Sequence, residues 1–360
     1  MPERYGPNLE SGMPEPAEHA RYRRQEILPE IGPAGQARLS SAHAAVVGCG
    51  ALGTVAAELL VRAGVGRVTL IDRDVVELTN LHRQTLFDEA DAAAGTPKAE
   101  AARARLAAIN SGVRIEACVA DVVASNAEGL LGFGADRAPG VIVDGTDNFE
   151  TRFLLNDIAV KHGVPLIYGG GIGTTGAVGV FALPSGPCLR CAFDGPPAPG
   201  SQPTCETAGV LGPATAAVGA RQAAVAMRVL VEPPAPGAAT LERFDLWTGE
   251  HRSVRIERDP GCLCCGTRRF ECLDTDDAPA SATLCGRDAV QIPASGAVDL
   301  DALAERLAGA GRFTVGPFML RGEIEAGRYQ LTVFGDGRSV IRGTRDVAEA
   351  RSVHARYVGS

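Results

Sequence analysis

The segment Gly48-Cys49-Gly50-Ala51-Leu52-Gly53 constrains this chain most: it sets three glycines in GxGxxG spacing directly after the short apolar run 44–47. A short apolar run closed by glycines is the pattern of a buried parallel strand, and 54–63 has helix-forming composition. A second apolar run, 67–71, ends in Asp72. Strand, helix and strand within about thirty residues make a βαβ unit, the building block of a doubly wound sheet.

The alternation continues with a helix over 97–109, strands over 113–118 and 140–144, a helix over 151–162 and a strand over 165–168. Later strands, 176–183, 240–247 and 253–257, are expected to be antiparallel around a long apolar helix, 212–230. The fold class that follows is α/β: a doubly wound, Rossmann-like, mostly parallel sheet with later antiparallel strands. Residues 1–20 read as a flexible tail and 21–272 as the main domain. The small, acidic, Pro-containing stretch 273–283 reads as a linker. A small α+β domain, 284–360, should follow: a strand (289–292), a helix (300–308), a strand (313–318), a hairpin (329–334 and 339–342) over Gly335-Asp336-Gly337, and a helix (347–357).

A glycine turn opening a helix lets backbone N–H groups approach a phosphate, and an acidic residue about twenty positions on can bind ribose hydroxyls. Gly48, Gly50, Ala51, Gly53 and Asp72 are therefore candidate nucleotide ligands, against the plain alternative of a tight turn in an unrelated α/β protein. The connector 72–84 is too polar for an ordinary loop, and it offers Arg83 as a fork for phosphate oxygens. Lys98, at a helix start, adds a point charge. Either cation alone would read as a solvated surface charge; a triphosphate needs more such charge than a pyrophosphate does. Asp144-Gly145-Thr146-Asp147-Asn148 places carboxylates at the C-terminal edge of a parallel strand, where this architecture binds ligands. Asp147 suits Mg²⁺ or, alternatively, an N-cap of the following helix.

Cys188-x-x-Cys191 and Cys262-x-x-Cys265 are paired CxxC elements beside Gly or Pro turns. Four thiolates at ~2.3 Å make a closed tetrahedral zinc site, hence a structural zinc knuckle of four cysteines; a redox dithiol is the competing reading. Cys264 competes with Cys265, which is preferred because it repeats the spacing of the first pair. Cys205 follows a Pro/Gly-rich loop and precedes the apolar helix, a position that would lower a thiol's pKa, although a buried inert thiol is equally ordinary. With 43 acidic against 35 basic residues, the net charge of -8 gives no support to a nucleic-acid partner. No apolar stretch approaches the roughly 18 residues of a membrane span, so a cytoplasmic protein is expected.

RYRRQEIL, GCGALG, IDRDVVELTNLHRQTLF, GTPKAEAA, DGTDNFETRFLLN, CLRC, TCETAGVLGP and DPGCLCCG, in this order, resemble the motifs of the MoeB/ThiF adenylyltransferases, relatives of ubiquitin-activating enzymes. The resemblance runs from about Arg21 to Gly266. It implies adenylation, by MgATP, of the C-terminal glycine of a ubiquitin-like sulfur carrier (ThiS-like or MoaD-like, with a Gly-Gly end), in thiamin, molybdopterin or thiolation pathways. It further implies that Asp72 binds ribose, that Asn80, Arg83, Gln84 and Lys98 line the phosphates, and that Asp147, with Asn148 beside it, organises Mg²⁺. Arg24 is similar to an arginine inserted into the partner subunit's site, which implies a homodimer. Cys205 resembles a loop cysteine that in some members binds the carrier covalently. A cysteine desulfurase or rhodanese would supply sulfur. Ala51 departs from the family, where glycine is frequent, and is expected to be harmless unless φ there is positive. The 284–360 unit lacks the Cys-bearing loop of a rhodanese and ends without Gly-Gly; carrier or donor docking competes with a purely stabilising role. An NAD(P)-dependent oxidoreductase, from GxGxxG alone, and a tRNA-modifying relative stay open as alternatives.

Overall fold

The computed structural model describes residues 17–134, 137–182, 184–196, 205–232, 237–274, 282–284, 288–293 and 296–359. Two helices, α1 (Ala17–Glu26) and α2 (Gly32–Ser41), precede the first strand, so helix begins earlier than the expected tail ends. The βαβ alternation then runs β1 (His43–Val47), α3 (Gly53–Arg62), β2 (Arg67–Ile71), α4 (Glu89–Ala94), α5 (Lys98–Ile109), β3 (Arg114–Cys118), α6 (Ala127–Leu130), β4 (Val141–Asp144), α7 (Phe149–His162) and β5 (Leu166–Ile172). After it come β6 (Thr175–Phe181), α8 (Leu189–Ala192), α9 (Cys205–Ala208), α10 (Gly212–Val231), β7 (Ala239–Asp245) and β8 (His251–Ile256). These strands form one sheet in the order β3-β2-β1-β4-β5-β6-β7-β8. Neighbours from β3 to β5 are parallel, and β5 to β8 are antiparallel, as the sequence suggested.

Strand residues of period two feed two cores. On one face Ala44 and Val46 pack with Leu60 of α3, Leu106 of α5 and Ala223 of α10. On the other, Ala45 and Val47 meet Leu155 and Ile158 of α7. The near-continuous apolar strands follow from this double burial. Leu273, expected to open the linker, is buried in the second of these cores.

The chain turns one way from β1 through α3 to β2 and the other way to β4, so the ends of β1 and β4 flank the topological switch point. There the glycines have a steric purpose. A β-carbon on Gly53 would lie 1.7 Å from the Gly48 carbonyl oxygen, and one on Gly48, where φ is +93°, would lie 2.5 Å from that of Gly145. One on Gly50 would meet only Gly145 oxygen, at 3.9 Å. Gly48 and Gly53 thus close the turn, while Gly50 faces open space.

A second sheet, β11-β12-β13-β14-β10-β9, is built from β9 (Ala282–Leu284), β10 (Ala289–Ile292), β11 (Gly311–Val315), β12 (Met319–Ile324), β13 (Tyr329–Phe334) and β14 (Ser339–Arg342). With α11 (Leu300–Leu307) and α12 (Val347–Tyr357), it encloses its own core around Leu303, Leu320, Leu331, Ile341 and Val353. The single strand expected over 313–318 is instead a hairpin, β11 to β12, because Gly316-Pro317 turns the chain. No described helix is long and apolar enough to cross a membrane.

The glycine geometry makes a direct prediction. Gly53→Ala should lower stability by about 1–3 kcal/mol through overpacking. Gly50→Ala should leave the thermal midpoint unchanged, as checked by calorimetry on both variants.

Candidate active site

Asp72 closes β2 beside the glycine turn, and both of its oxygens hold backbone. Oδ2 accepts from Cys49 N at 2.6 Å and Oδ1 from Asp74 N at 2.7 Å. Burial pushes the carboxyl above its ordinary value, and Lys98 pulls it back. The first turn of α3 carries no side-chain cap at Leu52, leaving its N-terminus suited to an anion. Ala51 is not among the residues with positive φ, so the backbone there puts no strain on the added methyl.

Lys98 is buried, and its ammonium donates to Asp74 Oδ2 at 3.0 Å while its backbone N donates to Asp74 O at 2.9 Å. Arg73 grips both oxygens of Asp121 at 3.0 and 2.9 Å. Burial works against its charge, yet Asp121, Asp74 and the more weakly felt Asp147 hold its pKa above the ordinary value. The short 3-10 turn Leu78–Asn80 is closed by a reciprocal cap: Glu77 N donates to Asn80 Oδ1 at 3.0 Å, and the Glu77 carboxylate accepts from the Asn80 backbone. Asn80 and Gln84 are buried, and the Gln84 Oε1 atom has no hydrogen-bond partner. Arg83 donates to Thr79 O at 3.0 Å and lies 2.7 Å from a His82 ring nitrogen.

Across the switch point, Asp147 is exposed after β4. The cap of α7 is Asn148, whose Oδ1 accepts from Thr151 N at 2.8 Å; the capping role weighed for Asp147 belongs to its neighbour. Sequence reading missed Arg152. It is buried one helical turn into α7, its Nε 3.2 Å from the fully buried Asp144 carboxylate, and it donates to Thr146 O and Gly169 O at 2.7 and 3.0 Å. Gln222 of α10, equally unforeseen, donates to Asp144 O at 2.7 Å. Neither carries a local signal, because each is a polar residue in a helix whose partners lie on other elements.

Arg24 lies apart. Its helix is fastened by Arg21 to Ile109 O (3.1 Å) and by Gln25 to Ala63 O (3.0 Å), the C-terminal ends of α5 and α3. That is the edge where the parallel strands begin, opposite the glycine turn. Arg24 is exposed there and does not join this chain's own site. Cys205 begins α9, but its side chain lies outside the described residues.

Cys188, Cys191, Cys262 and Cys265 converge with all four sulfurs within 4.8 Å of one another. Cys188 and Cys262 sulfurs are 3.6 Å apart, and those of Cys191 and Cys265 3.4 Å; thiolates at ~2.3 Å from a tetrahedral ion would sit at nearly this separation. Its Cys188 neighbour and burial push the Cys191 thiol up to about 12. Thiolates crowded in this way need a cation, so the donor set fits a soft metal ion. Cys264 is buried beside Cys188 and accepts from Asn156 Nδ2 at 3.3 Å, while Asn156 Oδ1 accepts from Leu189 N at 2.7 Å.

Residues 22–264 match the ThiF family model. The chain belongs to the ThiF family. It is 42% identical over 345 residues to the sulfur carrier protein ThiS adenylyltransferase of Bacillus subtilis, covering 94% of this chain and 99% of that one. It is 44% identical over 251 residues to the sulfur carrier protein adenylyltransferase of Thermus thermophilus, covering 68% and 90%. Among solved structures, Escherichia coli MccB with ATP has the same fold over 68% of this chain and 74% of that one, with a TM-score of 0.57 and 22% identity.

Arg152→Met should cost about 3–5 kcal/mol at neutral pH, because Asp144 is left charged and buried. Burial would then hold the native Asp144 pKa still further above its unfolded value, so the deficit relative to wild type should shrink as pH falls toward ~4. Denaturation at the two pH values checks this.

Proposed function

We propose that this ThiF-family protein uses MgATP to adenylate the C-terminal glycine of a ubiquitin-like sulfur-carrier protein. The observation that carries the reading is the placement of Asp72 and Lys98 beside the uncapped glycine turn at the switch point, with Asp147 across it. The names of the Bacillus and Thermus relatives support a sulfur-carrier protein as acceptor of the adenylyl group. An oxidoreductase would have no use for two cations, Arg83 on the connector and Lys98 at the start of α5, to offset a triphosphate.

The carrier's carboxylate oxygen attacks the α-phosphorus, the bond to the bridging oxygen of pyrophosphate breaks, and pyrophosphate leaves with the electron pair. The nucleophile is already ionised, so no base is needed and catalysis reduces to alignment and charge neutralisation. The glycine turn and α3 N-terminus bind phosphate, Asp72 accepts ribose hydroxyl donors, and Arg83 and Lys98 offset phosphate charge, with Asn80 and Gln84 shaping the loop. Lys98 exchanges its bond to Asp74 for one to phosphate. Asp147 would hold Mg²⁺, which supplies further neutralisation at the phosphates. Zinc on Cys188, Cys191, Cys262 and Cys265 would be structural, a closed shell joining the residues after β6 to those after β8.

Arg24, facing away from its own site, is assigned to the site of a second copy, so the working unit is a twofold-symmetric homodimer. A cysteine desulfurase or rhodanese is the assigned sulfur source, and Cys205 is the residue available for a covalent link to the carrier.

Pyrophosphate exchange into ATP should require a Gly-Gly-ended carrier and should fall by at least about 10²-fold in Asp147→Ala and in Arg24→Ala. Mixing the two inactive variants under conditions of subunit exchange should restore on the order of a quarter of the sites. Exchange without a carrier would refute the function, and failure of the mixture to recover would refute the shared site.

A further inference from the structure

The second sheet has one face too many for its own core. Leu331, Val333, Ile341, Leu320 and Val290 point into the layer of α11 and α12, so the alternate positions point the other way. That other face carries Gln291, Met319 and Arg342, and Arg338 of the β13–β14 turn stands beside them. It is turned onto the connector that follows Asp72, with Arg73, Asp74 and Glu77 opposite.

The polar contacts across this boundary end on the nucleotide loop itself or on Asp121, the carboxylate after β3 that holds Arg73. Arg338 is 3% exposed, its guanidinium stacks 3.9 Å from the Phe334 ring, and its Nη2 donates to the Arg73 carbonyl oxygen at 2.6 Å. Arg342 forms an ion pair with Glu77, the residue whose carboxylate caps the turn that holds Asn80. Gln291 donates to Asp121 Oδ2 at 2.9 Å, the same carboxylate that grips Arg73. Met319 packs against Gly95, where an added β-carbon would come within 2.4 Å of its Cε, just ahead of Lys98. The carboxylates facing the sheet arginines, Asp74 and Glu77 on the loop and Asp121 after β3, outnumber the one opposing cation, Arg73, which Asp121 already pairs.

We infer that the C-terminal sheet is a brace for the ATP loop, and that Arg338 and Arg342 are positioning residues that hold the 73–77 connector, and through it Asp72, Asn80 and Lys98, in the nucleotide-binding conformation. The connector has little regular structure of its own, so the entropy of ordering it would otherwise weaken ATP binding. The Arg338 bond fixes the Arg73–Asp74 peptide, whose N–H donates to Asp72, and the Arg342 pair fixes the cap that buries Asn80. Substrate contact stays with the loop; the sheet sets how much of the time the loop is ready.

The inference rests on the ATP reading of the glycine-turn site and is tested on the full chain by calorimetric titration with MgATP alone, followed by carrier-dependent exchange. Arg342→Ala and Arg338→Gln should each raise the Kd and KM for MgATP about tenfold. The kcat at saturating ATP and the KM for carrier should stay within about twofold of wild type, with part of the affinity recovered in Arg338→Lys. Arg356→Gln, which breaks a pair with Glu325 inside the C-terminal unit, should bind MgATP as wild type does. Wild-type MgATP affinity in folded Arg342→Ala would overturn the brace, and because Arg342 is 38% exposed this variant keeps the test open if Arg338→Gln fails to fold. A loss confined to kcat or to carrier KM would also overturn it. No MgATP binding by wild type would instead sink the nucleotide reading, and the first titration separates the two.

Discussion

The close approach of two backbone turns, Gly48 to Gly53 after β1 and Gly145 after β4, is the constraint on which the site depends. The Gly48 and Gly145 turns meet so tightly that neither tolerates a β-carbon, and Gly53 must begin its helix against the Gly48 carbonyl. Because the chain leaves β1 in one direction and β4 in the other, this contact fixes the crevice at the switch point. Gly50, with open space above it, is left as the surface a phosphate can approach.

Around that contact the fold uses buried and half-buried charge to hold loops rather than to hold layers together. Asp72 gives both oxygens to backbone N–H groups, Asp144 is tied to Thr146 and Arg152, and Arg73 is clasped by Asp121. Such pairs add little net stability, since desolvation offsets most of their attraction, but removing one partner is strongly destabilising. They favour one loop conformation over others. The proposed chemistry asks for this, because a reaction whose nucleophile is already ionised gains its rate from fixed placement of charge.

What sequence made legible was local: apolar runs broken by glycine gave the parallel strands, and paired CxxC spacing gave four sulfurs that do converge. Period-two and period-3.6 patterns need only a few neighbouring residues to be read. Arg152, Asn156 and Gln222 escaped because the partner of each lies on another element, far away in sequence or across a turn, and nothing in the helix itself announces it. The β11–β12 hairpin escaped because 313–318 reads as one strand running through Gly316-Pro317, which instead turns the chain between two. The contacts of Arg338 and Arg342 join residues 265 positions apart, a separation that no pattern within a window can report. The arrangement of the C-terminal sheet on the nucleotide loop was therefore visible only in three dimensions.

The central claim is that the site forms an acyl adenylate on a carrier protein, and trapping that anhydride tests it most directly. Hydroxylamine displaces AMP from an acyl adenylate and leaves a hydroxamate on the acyl carbon. Intact-mass analysis of a Gly-Gly-ended carrier, incubated with enzyme, MgATP and hydroxylamine, should find the hydroxamate on its last glycine, only when ATP is present, and not with Asp147→Ala. A carrier of unchanged mass, with ATP bound but not consumed, would contradict the account.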